Sequence, residues 1–260
     1  MQYSSEDIDI DYLLALAIRA GDEILKIYHR DFKVEYKDDL SPLTEADRIA
    51  NEIIVSGIEN KYPQSKIISE ENKQIPHAER KDWDRFWLID PLDGTKEFVK
   101  RNGEFTINIA LIEHGVPTLG IIYAPVLSVM YYGLKNLGSH CIKEGIKSRL
   151  EPTKSYLEKD PIKIVASRSH LNASTIDFIE YIEAKGKKTE LIQTGSSLKF
   201  CLVADGSADV YPRFAPTSEW DTAAGHAIVN YMGKQVIATD TGLPLVYNKS
   251  SLLNTGFIVG

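Results

Sequence analysis

Between residues 5 and 29 the apolar positions Ile8, Tyr12, Leu13, Leu16, Ile24, Ile27 and Tyr28 recur at helical spacing, which predicts a first long helix capped by Ser4 or Ser5. Residues 32–36 alternate like a strand. After Ser41-Pro42 a second helix is predicted from about Thr44, carried by Ala46, Ile49, Ile53, Ile54 and Ile58 and stopping before Pro63. Residues 67–71 read as a strand with an acidic end, 72–82 as a polar loop, and 86–90 as an apolar strand broken at once by Pro91-Leu92-Asp93-Gly94. Three β-like runs follow at 105–113, 117–123 and 128–134, separated by His114-Gly115 and Pro125, and predict an antiparallel meander.

The stretch 143–160 is charged and weakly patterned, and is the expected boundary. Beyond it, strands at 162–166, 188–193 and 208–211 alternate with helices near 173–184 and 197–204. A last helix is expected at 221–232 with Gly233 as its C-cap. No internal repeat interrupts this order. The pattern predicts a layered α/β fold (α+β) of two sheet-containing halves in one unit, 1–260. The first half, about 1–142, carries an antiparallel N-terminal sheet; the second, 160–260, is a smaller α/β half.

Composition narrows the function classes. With 43% hydrophobic and 26% charged residues the chain has the makeup of an ordinary globular protein. Acidic residues outnumber basic ones, 37 to 30, for a net charge of -7, and no dense Lys/Arg block is present, so nucleic acid is not the expected partner. Cys141 and Cys201 form no CxxC pair, which argues against a disulfide framework or zinc site and for buried thiols; Cys141 is expected at a strand edge. His29, His77, His114, His140 and His226 show no HxH or HxxxH spacing, and no GxSxG elbow is present. The first residues lack a basic and then apolar leader, and no run reaches the ~18 to 20 apolar residues of a spanning helix. A cytoplasmic protein is expected, with a peripheral place at the inner membrane left open.

Four acidic features fall at ends of predicted elements: Glu70-Glu71, Asp90, Asp93 and Asp221. Each has a bland reading alone. Asp93-Gly94 is a common turn dipeptide, Glu70-Glu71 suits a solvated loop, and Asp221 suits a helix N-cap. If they converge, their repulsion calls for hard divalent cations with oxygen ligands, which points to magnesium.

The residues Trp87-Leu88-Ile89-Asp90-Pro91-Leu92-Asp93-Gly94-Thr95, Ser69-Glu70-Glu71, Thr44-Glu45-Ala46-Asp47 and Trp220-Asp221-Thr222-Ala223-Ala224-Gly225 resemble the signatures of the inositol monophosphatase superfamily, magnesium-dependent and lithium-sensitive phosphatases. Lys96 to Thr106, Gly195-Ser196-Ser197-Leu198-Lys199-Phe200-Cys201 and Tyr211-Pro212-Arg213-Phe214 further resemble its bacterial CysQ-type 3'(2'),5'-bisphosphate nucleotidases. The resemblance covers nearly the whole chain and is faintest near 135–160 and 237–252. It implies a layered αβαβα sandwich of the inositol monophosphatase and sugar phosphatase type. It also implies a monomer or homodimer that hydrolyses the 3'-phosphate of adenosine 3',5'-bisphosphate to AMP and phosphate, linked to sulfate assimilation.

By that resemblance Glu70, Asp90, Asp93, Asp221 and the carbonyl of Leu92 hold two or three Mg2+ ions. Thr95 and Asp47 orient and deprotonate the attacking water, with Glu70 assisting. Gly94 and Thr95 present backbone amides to phosphate, and His170, Ser196, Lys199 and Arg213 form the nucleotide pocket. Plainer readings stay open: Thr44 and Asp47 as a capping turn, Lys199 as solvated, Arg213 as paired to Glu219, and His170 as a helix cap. The alternative functions are an inositol or sugar monophosphatase on the same scaffold, or a nucleotide-binding module without catalysis.

Overall fold

The computed structural model describes residues 8–36, 42–168 and 172–260. The first helix, α1 (Ile10–Tyr28), is capped by Asp9, whose side chain accepts from the amide of Tyr12. It starts later than its apolar pattern predicts, because Asp9 supplies the first acceptor; Ser4 and Ser5 lie outside the described residues. The short strands β1 (Val34–Tyr36) and β2 (Pro42–Thr44) pair antiparallel and lead into α2 (Glu45–Lys61). α1 and α2 lie close because Gly57 leaves room for Leu16: a Cβ there would stand 2.5 Å from the Leu16 side chain.

Next come β3 (Ile67–Ser69), α3 (His77–Arg80), β4 (Arg85–Asp93) and α4 (Thr95–Val99). The segment expected as loop at 72–82 thus contains a helical turn. β4 is not broken at Pro91 but runs on to Asp93, with its register against the neighbouring strand shifting between Asp90 and Asp93. That shift leaves proline without a ladder bond to donate. The meander follows as β5 (Thr106–Glu113), β6 (Val116–Ala124) and β7 (Val129–Leu134), and continues through β8 (Gly138–Lys143) and β9 (Ile146–Arg149). These strands form one seven-stranded sheet in the order β3-β4-β5-β6-β7-β8-β9, antiparallel except for the β3–β4 pair. The sheet therefore extends past residue 142 into the stretch expected as a boundary. Cys141 sits mid-strand opposite Ser148 rather than at an edge; both cysteines are buried and free.

Both faces of this sheet are covered, which is why its strands read as unbroken apolar runs. On one face Trp87, Ile89, Ile107, Ile109, Ile121 and Tyr132 pack with the buried stripes of α1 and α2. On the other, Phe86, Leu88, Ala110, Ile122 and Tyr131 meet α6 and α7. The remaining elements are β10 (Ile162–Ser167), α5 (Ala173–Ala184), β11 (Thr189–Thr194), α6 (Leu198–Ala204), β12 (Tyr211–Arg213), β13 (Thr217–Ser218), α7 (Glu219–Asn230), β14 (Val236–Ala238), β15 (Leu253–Asn254) and β16 (Phe257–Val259). β10 and β11 pair in parallel, β16 lies between β12 and β14, and β13 pairs with β15. Phe200 of α6 packs with Tyr211 and Phe257 of these strands, and Phe178 and Ile179 of α5 cover Ile162, Ile164 and Val210. The layers run helix pair, large sheet, α6 and α7, smaller strands, α5.

Two strand glycines set the depth of α7. A Cβ on Gly120 would lie 2.1 Å from the Ala224 carbonyl oxygen, and one on Gly133 would lie 2.8 Å from the Ile228 Cα. The helix backbone rests directly on the sheet. α7 is two residues longer at its start than expected: Ser218 is its N-cap and Asp221 its third residue, joined in a capping box. It ends at Asn230 with Tyr231 as C-cap, so Gly233, at φ +90°, belongs to the turn beyond. Among the described residues no helix is long and apolar enough to cross a membrane, and nothing in them supports the inner-membrane placement.

Candidate active site

Three of the acidic residues predicted at element ends meet. Glu70 follows β3, Asp90 lies within β4, and Asp221 stands in the first turn of α7; one carboxylate oxygen from each falls within 4.8 Å of the others. The parallel β3–β4 pairing brings the first two together, with the Glu70 amide donating to the Ile89 carbonyl at 3.1 Å. Asp90 Oδ1 accepts from the Leu92 amide at 3.0 Å, and Asp221 Oδ2 from the Ser218 amide at 2.8 Å. The Asp90 and Asp221 carboxylates are thus aimed by backbone amides.

Electrostatics mark this cluster as incomplete without a cation. Burial, and then the charges of Glu70, Asp93 and Asp221, push the Asp90 carboxyl well above the usual range. Asp221 is pushed up likewise by burial and by Asp93 and Glu70. Buried carboxylates this close do not all ionise unless opposite charge joins them. The donor set is all oxygen and open to a cavity, which suits a hard divalent ion that keeps some of its water.

Asp93 lies outside that trio. Its Oδ2 accepts from Ser197 Oγ at 2.5 Å and Asn108 Nδ2 at 3.5 Å, and Asn108 also donates to Ser197 Oγ at 2.7 Å. Sequence reading passed over Ser197 and Asn108; the alternation of β5, which places polar Thr106 and Asn108 on one face of an otherwise apolar strand, was the available signal.

The Asp47 carboxylate has two jobs on its two oxygens. Oδ2 accepts from the Thr44 amide and hydroxyl, each at 2.7 Å, closing the capping box of α2. Oδ1 accepts from Thr95 Oγ1 at 3.2 Å. Asp47 is therefore part of the capping turn and, through its other oxygen, also a partner of Thr95. Thr95 Oγ1 also lies 3.2 Å from the Leu92 carbonyl oxygen. Gly94, before it, has φ +93°, and a Cβ there would stand 3.1 Å from the Glu104 carbonyl and 3.2 Å from Ser196 Cβ. Only glycine fits that turn without strain.

A cavity of about 130 Å³ opens beside the acids, lined among others by Asp93, Gly94, Ser196, Lys199, Arg213 and Asp221. Lys199 is not solvated: it is 6% exposed, its ammonium donates to the Ser196 carbonyl, and it stands 5.6 Å from the centre of the Tyr211 ring. Burial lowers its pKa to about 8. Arg213 is not paired to Glu219; it donates to the carbonyls of Ala215 at 3.2 Å and Pro216 at 3.4 Å, while Glu219 is held by Lys249 at 2.7 Å. His170 lies outside the described residues. Glu104, also unforeseen, accepts from the Gly195 amide at 2.9 Å and Arg168 at 2.6 Å, and so ties the turn at Ser196 to the segment that enters β5. A larger cavity, about 320 Å³, is lined by Tyr62, Lys66, Arg85 and Trp87 at the opposite end of β4 and carries none of these groups.

The chain is similar to known proteins over nearly its whole length. The model of the inositol monophosphatase family matches residues 6–257. The chain is 44% identical over 255 residues to the 3'(2'),5'-bisphosphate nucleotidase CysQ of Salmonella typhimurium, covering 96% of this chain and 98% of that one. It is 45% identical to the protein of the same description from Buchnera aphidicola, covering 95% and 92%. Among solved structures, CysQ from Bacteroides thetaiotaomicron superposes with a TM-score of 0.84 at 44% identity, covering 96% of this chain and 95% of that one. An IMPase of Thermotoga maritima does so at 0.78 and 27%, covering 96% and 91%.

Proposed function

Because the chain belongs to the inositol monophosphatase family, whose enzymes are metal-dependent, we propose that it is a Mg2+-dependent phosphomonoesterase that removes the 3'-phosphate of adenosine 3',5'-bisphosphate to give AMP and inorganic phosphate. The observation that carries the substrate is the presence, in the lining of one cavity, of the acidic Asp93 and Asp221 together with the basic Lys199 and Arg213. A substrate with two phosphates needs acidic residues, through their cations, at one phosphate and fixed positive charge at the second.

Glu70, Asp90, Asp93, Asp221 and the Leu92 carbonyl would hold the ions, which supply charge neutralisation for the attacking and leaving oxygens of an in-line displacement. Thr95, with its hydrogen turned to Asp47, offers lone pairs to the attacking water and fixes its direction. As the water oxygen bonds to phosphorus and the bond to the 3'-oxygen breaks, the water proton passes to Thr95 Oγ1 and the threonine proton to Asp47 Oδ1, while the departing 3'-oxygen takes a proton from solvent water to become the hydroxyl of AMP. Asp47 can act at this distance from solvent because Thr44 already holds its other oxygen. Lys199 and Arg213 take the 5'-phosphate, exchanging neutral carbonyl partners for an anion. Ser196, in a left-handed turn at φ +45°, presents its hydroxyl to the same pocket.

Phosphate release from adenosine 3',5'-bisphosphate and from inositol 1-phosphate tests this, with Mg2+, with EDTA and with added Li+. Metal-dependent release that favours the bisphosphate is the expected result. A preference for the inositol ester would remove the roles given to Lys199 and Arg213, and no release from either would remove catalysis.

A further inference from the structure

The segment after Glu70 and the helix carrying Asp221 come from distant parts of the chain, yet a buried chain of hydrogen bonds joins them. Arg80, the last residue of α3, is 2% exposed. Its guanidinium donates to the carbonyls of Ile75 at 3.2 Å, Lys249 at 2.8 Å and Ser250 at 3.2 Å, and to Asn248 Oδ1 at 2.8 Å. Asn248 Nδ2 returns a bond to the Arg80 carbonyl at 2.7 Å. On the other side Glu219, fully buried as the first residue of α7, accepts from the amides of Asn248 at 2.7 Å and Lys249 at 3.0 Å. Asn254 adds bonds to the Ser218 carbonyl at 3.0 Å and Thr222 Oγ1 at 2.9 Å, on either side of Asp221.

Apolar packing would close the same gap with less desolvation. What a satisfied network of directional bonds adds is position. The groups in need of position are close by in sequence: Asp221 stands two residues beyond Glu219, and Glu70 follows the strand that feeds this segment. With their oxygens within 4.8 Å of each other and of Asp90, the two carboxylates repel, and that force drives the segment and the helix start apart.

We propose that Arg80, Asn248 and Glu219 form a clamp that holds Glu70 and Asp221 at ligand distance before a cation arrives, and so sets the affinity of the site for divalent metal. The clamp rests on the metal reading given above. Its members are positioning residues, since none lines the cavity.

Mn2+ binding to the full chain, followed by the loss of the free-ion EPR signal, reads this without substrate. Asn248 has φ +71°, so Asn248→Gly removes both side-chain bonds to Arg80 at little backbone cost. It should weaken Mn2+ binding about tenfold, as lost outer partners of metal ligands do. The half-saturating Mg2+ for turnover should rise by the same factor while kcat at saturating Mg2+ stays within about twofold. Arg80→Lys, which keeps the charge and loses the fork, should fall between wild type and Asn248→Gly. If both variants bind Mn2+ as wild type does and only their melting temperatures in EDTA drop, the clamp is a structural staple and the proposal fails. If wild type itself binds no Mn2+, the metal reading fails and the clamp with it.

Discussion

The acidic and the basic groups of the candidate site hold their charges differently. On the acidic side Asp90 and Asp221 sit within a strand and a helix turn, each fixed by a nearby backbone amide, and like charges crowd together in a buried place. On the basic side Lys199 of α6 and Arg213 of β12 rest on backbone carbonyls of the turns beside them, partners that an incoming phosphate can displace. The acidic side is positioned before its ligand comes and is strained without it; the basic side is satisfied without its ligand and yields to it. The first arrangement suits a resident cation and the second a substrate that must leave.

That contrast breaks most sharply at Asp90. Asp90→Asn keeps the shape and removes a charge from the cage, so turnover should fall by about 10³-fold or more at any Mg2+ concentration, given the several kcal/mol such sites supply. The same variant should melt higher than wild type in EDTA, because a repelling buried charge is gone. An Asn variant that turns over normally would show that Asp90 is not a ligand.

Thr95→Ala separates the orientation of water from the binding of metal. It should lower kcat by about 10² to 10⁴ while leaving Mn2+ affinity unchanged, with Thr95→Ser restoring most of the rate. A loss that appears in metal affinity instead would move Thr95 into the cage. Asp47→Asn should cost a similar factor and also about 1 kcal/mol of stability through the capping box, visible in urea unfolding.

Lys199→Met should raise KM for adenosine 3',5'-bisphosphate about 10- to 100-fold, from the ~1.5 to 3 kcal/mol of a charged hydrogen bond, and leave a monophosphate ester nearly untouched. With the lysine near 8, its charge is lost as pH rises through that value, so kcat/KM for the bisphosphate should decline above about pH 8. That decline should be absent in Lys199→Met and for the monophosphate. Equal slopes for the two substrates would assign the break to another group.

Much of this was legible in the chain before the structure. Apolar period gave the helices at 173–184 and near 198–204 and the meander of β5 to β7, because long runs with one buried face carry their own geometry. The acids stood out because they interrupt apolar elements at their ends. Contacts between residues far apart left no such trace: the bracing of Asp93 by Ser197 and the hold of Arg80 on Asn248 have no period, and each residue alone reads as polar surface. The passage of β4 through Pro91 was missed for a related reason, since a proline breaks a ladder only where its neighbour needs an N–H, and the register shift after Asp90 removes that need. That Asp47 serves both Thr44 and Thr95 is not legible from spacing, because a carboxylate's two oxygens can answer to different partners.

The smallest expected effect is on stability, and its sign separates the two sides. Asp90 and Asp221 bind protons more tightly when folded than when unfolded, so above the ordinary carboxylate range the folded state still carries protons that the unfolded chain has released. Stability then falls as pH rises. In EDTA the melting temperature should therefore drift down from about pH 4 upward, the reverse of what salt-bridged carboxylates give. Mg2+ should flatten the slope, since a bound cation replaces those protons. Asp90→Asn should flatten it without metal, whereas Lys199→Met, among the basic groups, should leave the downward drift in place. A melting temperature that climbs with pH in EDTA would mean that the acids are neutralised within the protein itself, and that the acidic side needs no cation to stand.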